Sequence, residues 1–370
     1  MSSPRPLRVA LVAPSLRILG GQAVQAQRLL DAWRDDPDVS AWLVPINPLP
    51  KPPFDRLLDV KYVRTLATQA LYHPLLMREL RRADVVHVFS ASYASFLLAP
   101  LPAMLIARLY GKPVVLNYRS GEAPDHLQRS AIARWALETV DLNVVPSSFL
   151  RDVFAGFGIP SRIVANVCDL SRFRYRARDP LRPRLVSTRN FEPLYNVECT
   201  IRAFARVQAR YPDASLTLVG SGSGEAALRH QVQSLGLTQV TFAGRVPQSE
   251  IHRFYAEADI YVQTPSIDNM PASVIEAFAS GLPVVSTRVG GVPAILDEGV
   301  HGLLAPDGDA DAVADRILAL LEDPAAARRM AVAAHDSCRN YEWAVLRDQW
   351  LDVYRSLVRR PGMAPLPEAA

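Results

Sequence analysis

Short apolar runs alternate with segments of helical periodicity along most of the chain. The run at 7–15, LRVALVAPS, predicts a first buried strand, and the segment after Gly20-Gly21 predicts a helix. Apolar residues recur in that segment at helical spacing: Ala23, Ala26, Leu29, Leu30 and Trp33. Further strands are predicted at AWLVPI, DVVHVFS, KPVVLNY, LVST, SLTLV and VVST. Strands that alternate with helices indicate parallel sheets with helices on their faces.

Two regions of this kind flank an Arg- and Pro-rich stretch without periodicity at about 170–183. A chain of 370 residues exceeds what one hydrophobic core usually organises. We therefore expect two domains, at 1–170 and 183–344, followed by an amphipathic helix at about 345–360. The proline-interrupted stretch Pro45–Pro74 is expected to be irregular.

The composition is that of an ordinary globular protein, with 49% hydrophobic and 21% charged residues. No apolar run approaches the ~20 residues that span a bilayer, and the N-terminal apolar run suits a strand better than a signal peptide. Cys168, Cys199 and Cys338 lie far apart, so we expect free thiols in a reducing cytoplasm.

Charge is distributed unevenly along the chain. The first 180 residues hold 23 Lys and Arg against 15 Asp and Glu, whereas the whole chain carries +4. A basic first half favours an anionic partner, which would be the inner face of a membrane or a phosphate-bearing acceptor. Surface arginines without any ligand remain the alternative. No pattern of a nucleic-acid-binding module is present, so no such partner is expected.

The stretch Pro265–Gly291 carries the most specific chemistry. It predicts a loop, a helix at about Ala272–Ala279 opened by Pro271 and stopped at Gly281, and a buried strand. A helix N-terminus after a strand offers unpaired amides to an anion. Asp268 and Glu276 flank that end, and carboxylates accept hydrogen bonds from sugar hydroxyls, which suggests a nucleotide sugar. The alternative is that Asp268 only caps the helix and Glu276 faces solvent.

The acid-x7-Glu spacing of Asp268 and Glu276, the segment EAFASGLPVV and Gly290-Gly291 resemble the donor site of family-4 retaining glycosyltransferases (glycosyl transferases group 1). The resemblance implies an α/β chain of GT-B fold. That fold has two Rossmann-like domains with parallel sheets facing across a cleft, and a C-terminal helix that crosses back to the N-terminal, acceptor-binding domain. The family usually has Glu where this chain has Asp268.

The resemblance also implies roles for individual residues. Arg189 matches an arginine that binds the donor phosphates, whereas Tyr195 occupies the position of a lysine and Arg119 that of a histidine near the reacting centre. Arg189, Asp268 and Arg119 are therefore the catalytic candidates. The implied donor-binding residues are Gly20, Gly21, Arg189, Tyr195, Gly220, Arg245, Val246, Asp268, Asn269, Met270, Pro271, Ala272 and Glu276.

The expected activity is transfer of a sugar from a UDP- or GDP-sugar to a sugar, glycan or lipid-linked acceptor, with retention of configuration and no metal or other cofactor. A weakly active nucleotide-sugar-binding protein and a sugar-nucleotide epimerase stay open as alternatives. A nicotinamide oxidoreductase would need G-x-G-x-x-G after the first strand, and Gly20-Gly21 does not supply it. His87 is predicted to be a core residue, and His126 is retained as a catalytic candidate near Arg119.

Overall fold

The computed structural model describes residues 5–17, 20–49 and 61–358. These residues fall into two compact units. One is formed by the residues up to Val167 together with those from Trp343 on, and the other by Cys168–Glu342. Each unit contains a six-stranded parallel sheet with helices on its faces.

The strands of both sheets follow the predicted apolar runs. The first sheet contains β1 (Leu7–Ala13), β2 (Val39–Pro45), β3 (Val85–Ser90), β4 (Val114–Tyr118), β5 (Leu142–Val145) and β6 (Arg162–Ile163). The second contains β7 (Arg184–Ser187), β8 (Ser215–Val219), β9 (Val240–Gly244), β10 (Ile260–Gln263), β11 (Val284–Thr287) and β12 (Leu303–Ala305). The orders are β2-β1-β3-β4-β5-β6 and β12-β11-β10-β7-β8-β9.

Helices connect successive strands. The helices up to the end of the first sheet are α1 (Gly21–Trp33), α2 (Lys61–Leu80), α3 (Tyr93–Leu98), α4 (Pro100–Leu109), α5 (Ala123–Arg129), α6 (Ala131–Thr139) and α7 (Ser148–Gly156). The remaining helices are α8 (Val197–Arg210), α9 (Glu225–Ser234), α10 (His252–Glu257), α11 (Ala272–Ala279), α12 (Ala310–Glu322), α13 (Pro324–Ser337) and α14 (Trp343–Val358).

Two layers of helices cover the first sheet. One core cluster joins buried residues of α2, α3, α4, α5, α6 and α7 to one face of the sheet. The other cluster joins α1 and α14 to the opposite face. There the rings of Trp33 and Trp343 meet edge to face at 4.5 Å, and Arg347 forms ion pairs with Asp36 and Asp38.

The prediction of an irregular Pro45–Pro74 is wrong over its second half, because α2 runs through Pro74. Tyr72, Leu76 and Leu80 recur at helical spacing and are fully buried. Burial of a large apolar side chain stabilises by about 1.5–3 kcal/mol, so these three together contribute about 4.5–9 kcal/mol. This sum exceeds the roughly 3 kcal/mol cost of one helical proline. Residues 50–60 of that stretch lie outside the described residues, as do 1–4 of the first predicted domain and 359–360 of the predicted last helix.

Candidate functional site

The second sheet reverses its winding between β7 and β10. The chain runs outward from β7 through β8 to β9, and then returns to the other side of β7 as β10. Such a switch point opens a crevice at the carboxyl ends of the strands, where open α/β sheets bind ligands. The loops that leave β7 and β10 at this edge carry Arg189 and Asp268.

Arg189 is held on three sides. Its Nη2 donates to Asp268 Oδ2 at 2.6 Å, and its Nη1 donates to Ser273 Oγ at 3.1 Å. Its guanidinium carbon lies 4.0 Å from the centre of the Tyr195 ring. Burial opposes the charge, but the neighbouring Asp268 carboxylate outweighs it and the pKa of Arg189 is raised. Arg189 is therefore a fixed cation.

Helix α11 begins beside this cation. The helix spans Ala272–Ala279, as predicted, with Pro271 as its extended N-cap rather than its first helical residue, and no side chain caps it. Asp268 Oδ1 accepts from the amide of Asn269 at 2.8 Å, so the alternative in which Asp268 caps α11 is wrong. Because Arg189 reaches Ser273 in the first turn, a cation and the positive end of a helix dipole lie together.

Glu276 is buried, with 6% of its surface exposed, so the alternative of a solvent-facing side chain is wrong. Gln248 Nε2 donates to Oε1 and the Tyr255 hydroxyl donates to Oε2, both at 3.1 Å. Thr188 Oγ1 lies 2.7 Å from the same Tyr255 hydroxyl. Burial, followed by the charge of Glu276, raises the pKa of Tyr255 well above its usual value. Tyr255 therefore stays protonated and orients the carboxylate.

Glycines allow the loops of this edge to touch through their backbones. A Cβ on Gly220 would lie 2.2 Å from the carbonyl oxygen of Arg189. A Cβ on Gly290 or Gly291 would lie 1.9 Å from the carbonyl oxygen of Asp268 or 1.8 Å from that of Asn269, respectively. The predicted site residue Gly220 thus acts by letting the β8 loop approach the β7 loop.

The remaining candidates of this unit lie on either side of Arg189. Asn269 and Met270 are buried, and Ala272 is partly exposed at the start of α11. Arg245 and Val246 follow β9, the edge strand, two strands away from β7. The Arg245 side chain is exposed.

Gly20 and Gly21 start α1 after β1, where the first sheet reverses its winding between β1 and β3. A Cβ on either residue would meet nothing within 4 Å. Packing within the described chain therefore does not require glycine here, which distinguishes this pair from Gly290-Gly291.

Arg119 directly follows β4 at the same edge of the first sheet. Its Nη2 donates to Asn166 Oδ1 and its Nη1 to Asn117 Oδ1, the latter at 3.4 Å. The guanidinium carbon lies 5.4 Å from the centre of the Phe89 ring. Arg119 is thus a second fixed cation.

His126 is only 1% exposed. Its Nδ1 lies 2.8 Å from the Tyr118 hydroxyl, which lies 2.9 Å from Ser92 Oγ. Burial lowers the pKa of His126, against the charge of Asp125. The imidazole is therefore buried and hydrogen-bonded to Tyr118, and the structure does not support His126 as an exposed base.

The prediction that His87 is a core residue is confirmed. It is fully buried and lies 2.9 Å from the Tyr354 hydroxyl and 3.1 Å from Asn117 Nδ2. Burial, and then the charge of Arg119, lowers the pKa of His87 to about 3. The three cysteines are free and buried, as expected.

The sequence did not identify Ser273, Gln248 or Tyr255 as site residues. Gln248 and Tyr255 reach Glu276 from other parts of the chain, so no local spacing signals them. Ser273 lies on α11 itself and is distinguished only by its contact with Arg189. Within the described ranges, His, Cys, Asp and Glu side chains form no group of three or more that could hold a metal ion.

Two family models match nearly adjacent parts of the chain. The model described as glycosyltransferase family 4 matches residues 19–172, and the model described as glycosyl transferases group 1 matches residues 174–336. The chain belongs to glycosyltransferase family 4. In this family-4 chain the first match covers most of the first sheet, and the second match covers the second sheet.

Curated relatives of this family-4 chain match only part of their own length. The sulfoquinovosyl transferase SQD2 of Arabidopsis thaliana is 25% identical over 315 residues, which are 78% of this chain and 60% of SQD2. A GDP-mannose-dependent alpha-(1-6)-phosphatidylinositol monomannoside mannosyltransferase of Mycolicibacterium smegmatis is 30% identical over 238 residues. These are 57% of this chain and 62% of the relative.

Solved structures match almost the whole chain. Anabaena HepE in complex with UDP-glucose superposes with a TM-score of 0.76 at 18% identity, covering 95% of this chain and all of HepE. Sucrose-phosphate synthase of Thermosynechococcus elongatus gives 0.73 at 21% identity, covering 95% of this chain and 99% of the synthase. The two six-stranded parallel sheets with flanking helices are those of the GT-B fold, as predicted.

Proposed function

We propose that this chain is a retaining glycosyltransferase that moves a sugar from a nucleoside diphosphate sugar to an acceptor hydroxyl. The observation that carries the proposal is the pairing of Arg189 with Asp268 at the amide end of α11, on the switch point of the second sheet. This arrangement places a fixed cation, the N-terminus of a helix and a carboxylate side by side. The first two suit a diphosphate, and the carboxylate suits the hydroxyls of an attached sugar.

The donor diphosphate would lie against Arg189 and the first turn of α11. As the bond between the sugar C1 and the phosphate oxygen breaks, negative charge grows on the diphosphate. Preorganised donors stabilise such charge strongly, because they need no reorganisation during the reaction. Arg189 would be one of these donors, because Asp268 and Ser273 already hold its guanidinium in place.

The two carboxylates would hold the hydroxyls of the donor. Asp268 lies next to Arg189 and would accept from the sugar, while Glu276, deeper along α11, would accept from the ribose. Gln248 and Tyr255 would hold the Glu276 carboxylate in the orientation that this contact needs. The new bond forms between the acceptor oxygen and C1, and the acceptor proton passes to the departing phosphate oxygen.

Uridine and guanosine donors both fit the proposal. The structure of HepE contains UDP-glucose, and the M. smegmatis relative depends on GDP-mannose. The acceptor would be a sugar, glycan or lipid-linked sugar in glycan, polysaccharide or glycolipid synthesis. The proposal includes no metal, so transfer is expected to survive treatment with EDTA. The role of Arg119 in the reaction stays a prediction.

A nucleotide-sugar-binding protein with weak or no transfer is the second candidate. It is favoured by Tyr195 and Arg119, which stand where relatives carry lysine and histidine, and by the burial of His126. An epimerase of similar fold would instead change the donor sugar without any acceptor. Turnover of UDP- and GDP-sugars, measured with and without a panel of acceptors, distinguishes the transferase, the binding protein and the epimerase. Proton NMR of the product shows whether the configuration at C1 is retained.

The direct test of the site is a thermal-shift screen with UDP, GDP and their sugars. Glu276→Gln should lose most of the donor-induced shift, while its unliganded melting temperature stays within a few degrees. Glu198→Gln, on the exposed face of α8, is the matched control and should keep the full shift. A full shift in Glu276→Gln would overturn the placement of the donor.

A further inference from the structure

Exposed large hydrophobic side chains concentrate on one helical layer of the first unit. Leu66 on α2 and Leu109 on α4 are the most exposed among them, at 73% and 72%. The others on this layer that belong to α2, α3, α4 and α6 are Leu71, Met77, Tyr93, Leu97, Leu98, Leu105, Ile132 and Trp135. Isolated exposed leucines are common, but a group of this kind marks an interaction surface.

Helices α2 and α4 present their exposed sides in the same direction. Both bury their inner sides in the same core cluster on one face of the sheet. The Tyr72 hydroxyl donates to the carbonyl of Ala99 at 2.9 Å, and the Arg81 guanidinium lies 5.9 Å from the Tyr110 ring centre. These contacts join α2 to both ends of α4.

The exposed residues also line up along each helix. Leu66 and Met77 are about three turns apart on α2, and Leu105 and Leu109 are one turn apart on α4. Together with Leu97 and Leu98 of α3, they define the outer face of α2–α4.

The segment that contains this face is rich in basic residues. Between positions 61 and 112 the chain has seven Lys and Arg against two Asp and Glu. Glu79 is buried and paired with Arg78 and Arg82, and Asp84 is paired with Arg8. Both acidic groups are therefore neutralised, whereas the side chains of Arg64, Arg81 and Arg108 remain exposed.

The opposite layer has fewer exposed large hydrophobic residues, and the arginines of α14 are paired with acids. There the large exposed hydrophobic residues of α14 are Val345 and Val358. Its arginines are matched by acids, because Arg347 pairs with Asp36 and Asp38, and Arg355 pairs with Asp38. The difference between the layers thus concerns both apolar exposure and charge.

We propose that the outer face of α2–α4 binds an anionic lipid bilayer. The leucines would enter the boundary between head groups and acyl chains, and the arginines would pair with lipid phosphates. A second copy of the chain is a poorer occupant, because two such faces would oppose their positive charges. In the described part of the chain no helix is long and apolar enough to cross a membrane. This inference does not depend on the proposed transferase activity.

Flotation of the full chain with lipid vesicles tests the proposal. The wild type should float with vesicles of phosphatidylcholine and phosphatidylglycerol, should not float with phosphatidylcholine alone, and should be released by salt. L105Q/L109Q should lower the bound fraction at least tenfold, and R81E/R108E should do the same. The matched control L235Q changes a similarly exposed leucine of the second unit and should bind like the wild type.

Thermal melting checks that each variant is folded, and light scattering measures its oligomeric state. The changed side chains are exposed, so the variants should melt within a few degrees of the wild type. Failure of the folded wild type to prefer anionic vesicles would overturn the proposal, as would equal losses in L235Q. A wild-type dimer that L105Q/L109Q converts to a monomer would assign the face to a second copy instead. Donor binding, measured separately, should be unchanged in all of these variants.

Discussion

Two Gly-Gly pairs lie at the carboxyl edges of the two sheets, and their surroundings differ. Gly290-Gly291 presses on the backbone of Asp268 and Asn269, so closely that a Cβ on either glycine would lie within 2 Å of a carbonyl oxygen. At Gly20-Gly21 no described residue lies within 4 Å of where each Cβ would be. Packing against described residues thus explains the first pair and not the second, and we expect a substrate to approach the second.

The polar groups at the two edges differ in the same way. In the second unit Arg189 and Asp268 form an ion pair whose side chains are 10% and 13% exposed. In the first unit His126 is buried and neutral, and hydrogen-bonded through Tyr118 to Ser92. Among the described residues, the second edge thus carries an ion pair beside the start of α11, whereas the first carries the cation Arg119.

Of the substitutions considered, Arg189→Ala should impair the site of the second unit most severely. The change removes the cation and leaves the Asp268 carboxylate unpaired. Loss of one preorganised charge-stabilising group costs about 10²–10³ in rate, so we expect sugar transfer to fall by about that factor. Donor turnover at saturating acceptor measures the effect.

The matched control is Arg288→Ala, which removes an exposed arginine from its pair with Glu298 and should leave turnover nearly unchanged. Arg189→Lys keeps the positive charge but not the forked guanidinium that contacts both Asp268 and Ser273. Its turnover should lie between those of Arg189→Ala and Arg288→Ala. Turnover of Arg189→Ala close to that of the wild type would exclude Arg189 from the reaction.

Features that depend on neighbouring residues could be predicted from the sequence, whereas features that depend on residues far apart in the chain could not. Helix α11 begins and ends where predicted, because apolar spacing and Gly281, at φ +72°, act locally. Helix α2 was missed because Pro74 is a local signal that burial of distant packing partners overrides. The pairing of Arg189 with Asp268 joins separate strands, and so do the contacts of Glu276 with Gln248 and Tyr255. Such partners are set by strand order, which the chain spacing does not express.

Gly291→Ala and Gly21→Ala test the contrast between the two glycine pairs. A Cβ on Gly291 would lie 1.8 Å from the carbonyl oxygen of Asn269, so the loops must separate. We expect a loss of about 1–3 kcal/mol in the free energy of unfolding, as for other overpacked sites, with weaker donor binding. Denaturant unfolding and isothermal titration measure the two effects.

Gly21→Ala should do the opposite. Because its Cβ meets nothing and Gly21 lies in α1, the free energy of unfolding should be unchanged or should rise by up to about 1 kcal/mol. Transfer should fall if a substrate approaches this turn. Equal destabilisation by the two substitutions would remove the distinction between the pairs.

Acid should destabilise the first unit through its buried histidines. The folded pKa of His87 is about 3, below the value near 6.5 of an unfolded histidine. Between these values the unfolded chain binds a proton that the folded chain does not, so stability is lost as pH falls below about 6.5. At pH 5 the loss from His87 should be about 2 kcal/mol, at about 1.4 kcal/mol per pH unit.

Denaturant unfolding at pH 7 and pH 5 measures this slope. His87→Gln should reduce the difference between the two pH values, whatever it does to stability at pH 7. His230→Gln, on the exposed side of α9, should leave the difference unchanged. An unaltered slope in His87→Gln would show that other groups carry the acid sensitivity.

The smallest expected effect concerns Tyr195, where the family usually has lysine. The Tyr195 ring lies 4.0 Å from the Arg189 guanidinium carbon, and a cation–π contact of this kind is worth about 1 kcal/mol. Tyr195→Leu should therefore lower kcat/KM about fivefold, whereas Tyr195→Phe keeps the ring and should stay within about twofold of the wild type. If Tyr195→Phe were as impaired as Tyr195→Leu, the hydroxyl would be the active group. Tyr195 would then bind the donor itself rather than hold Arg189 in place for it.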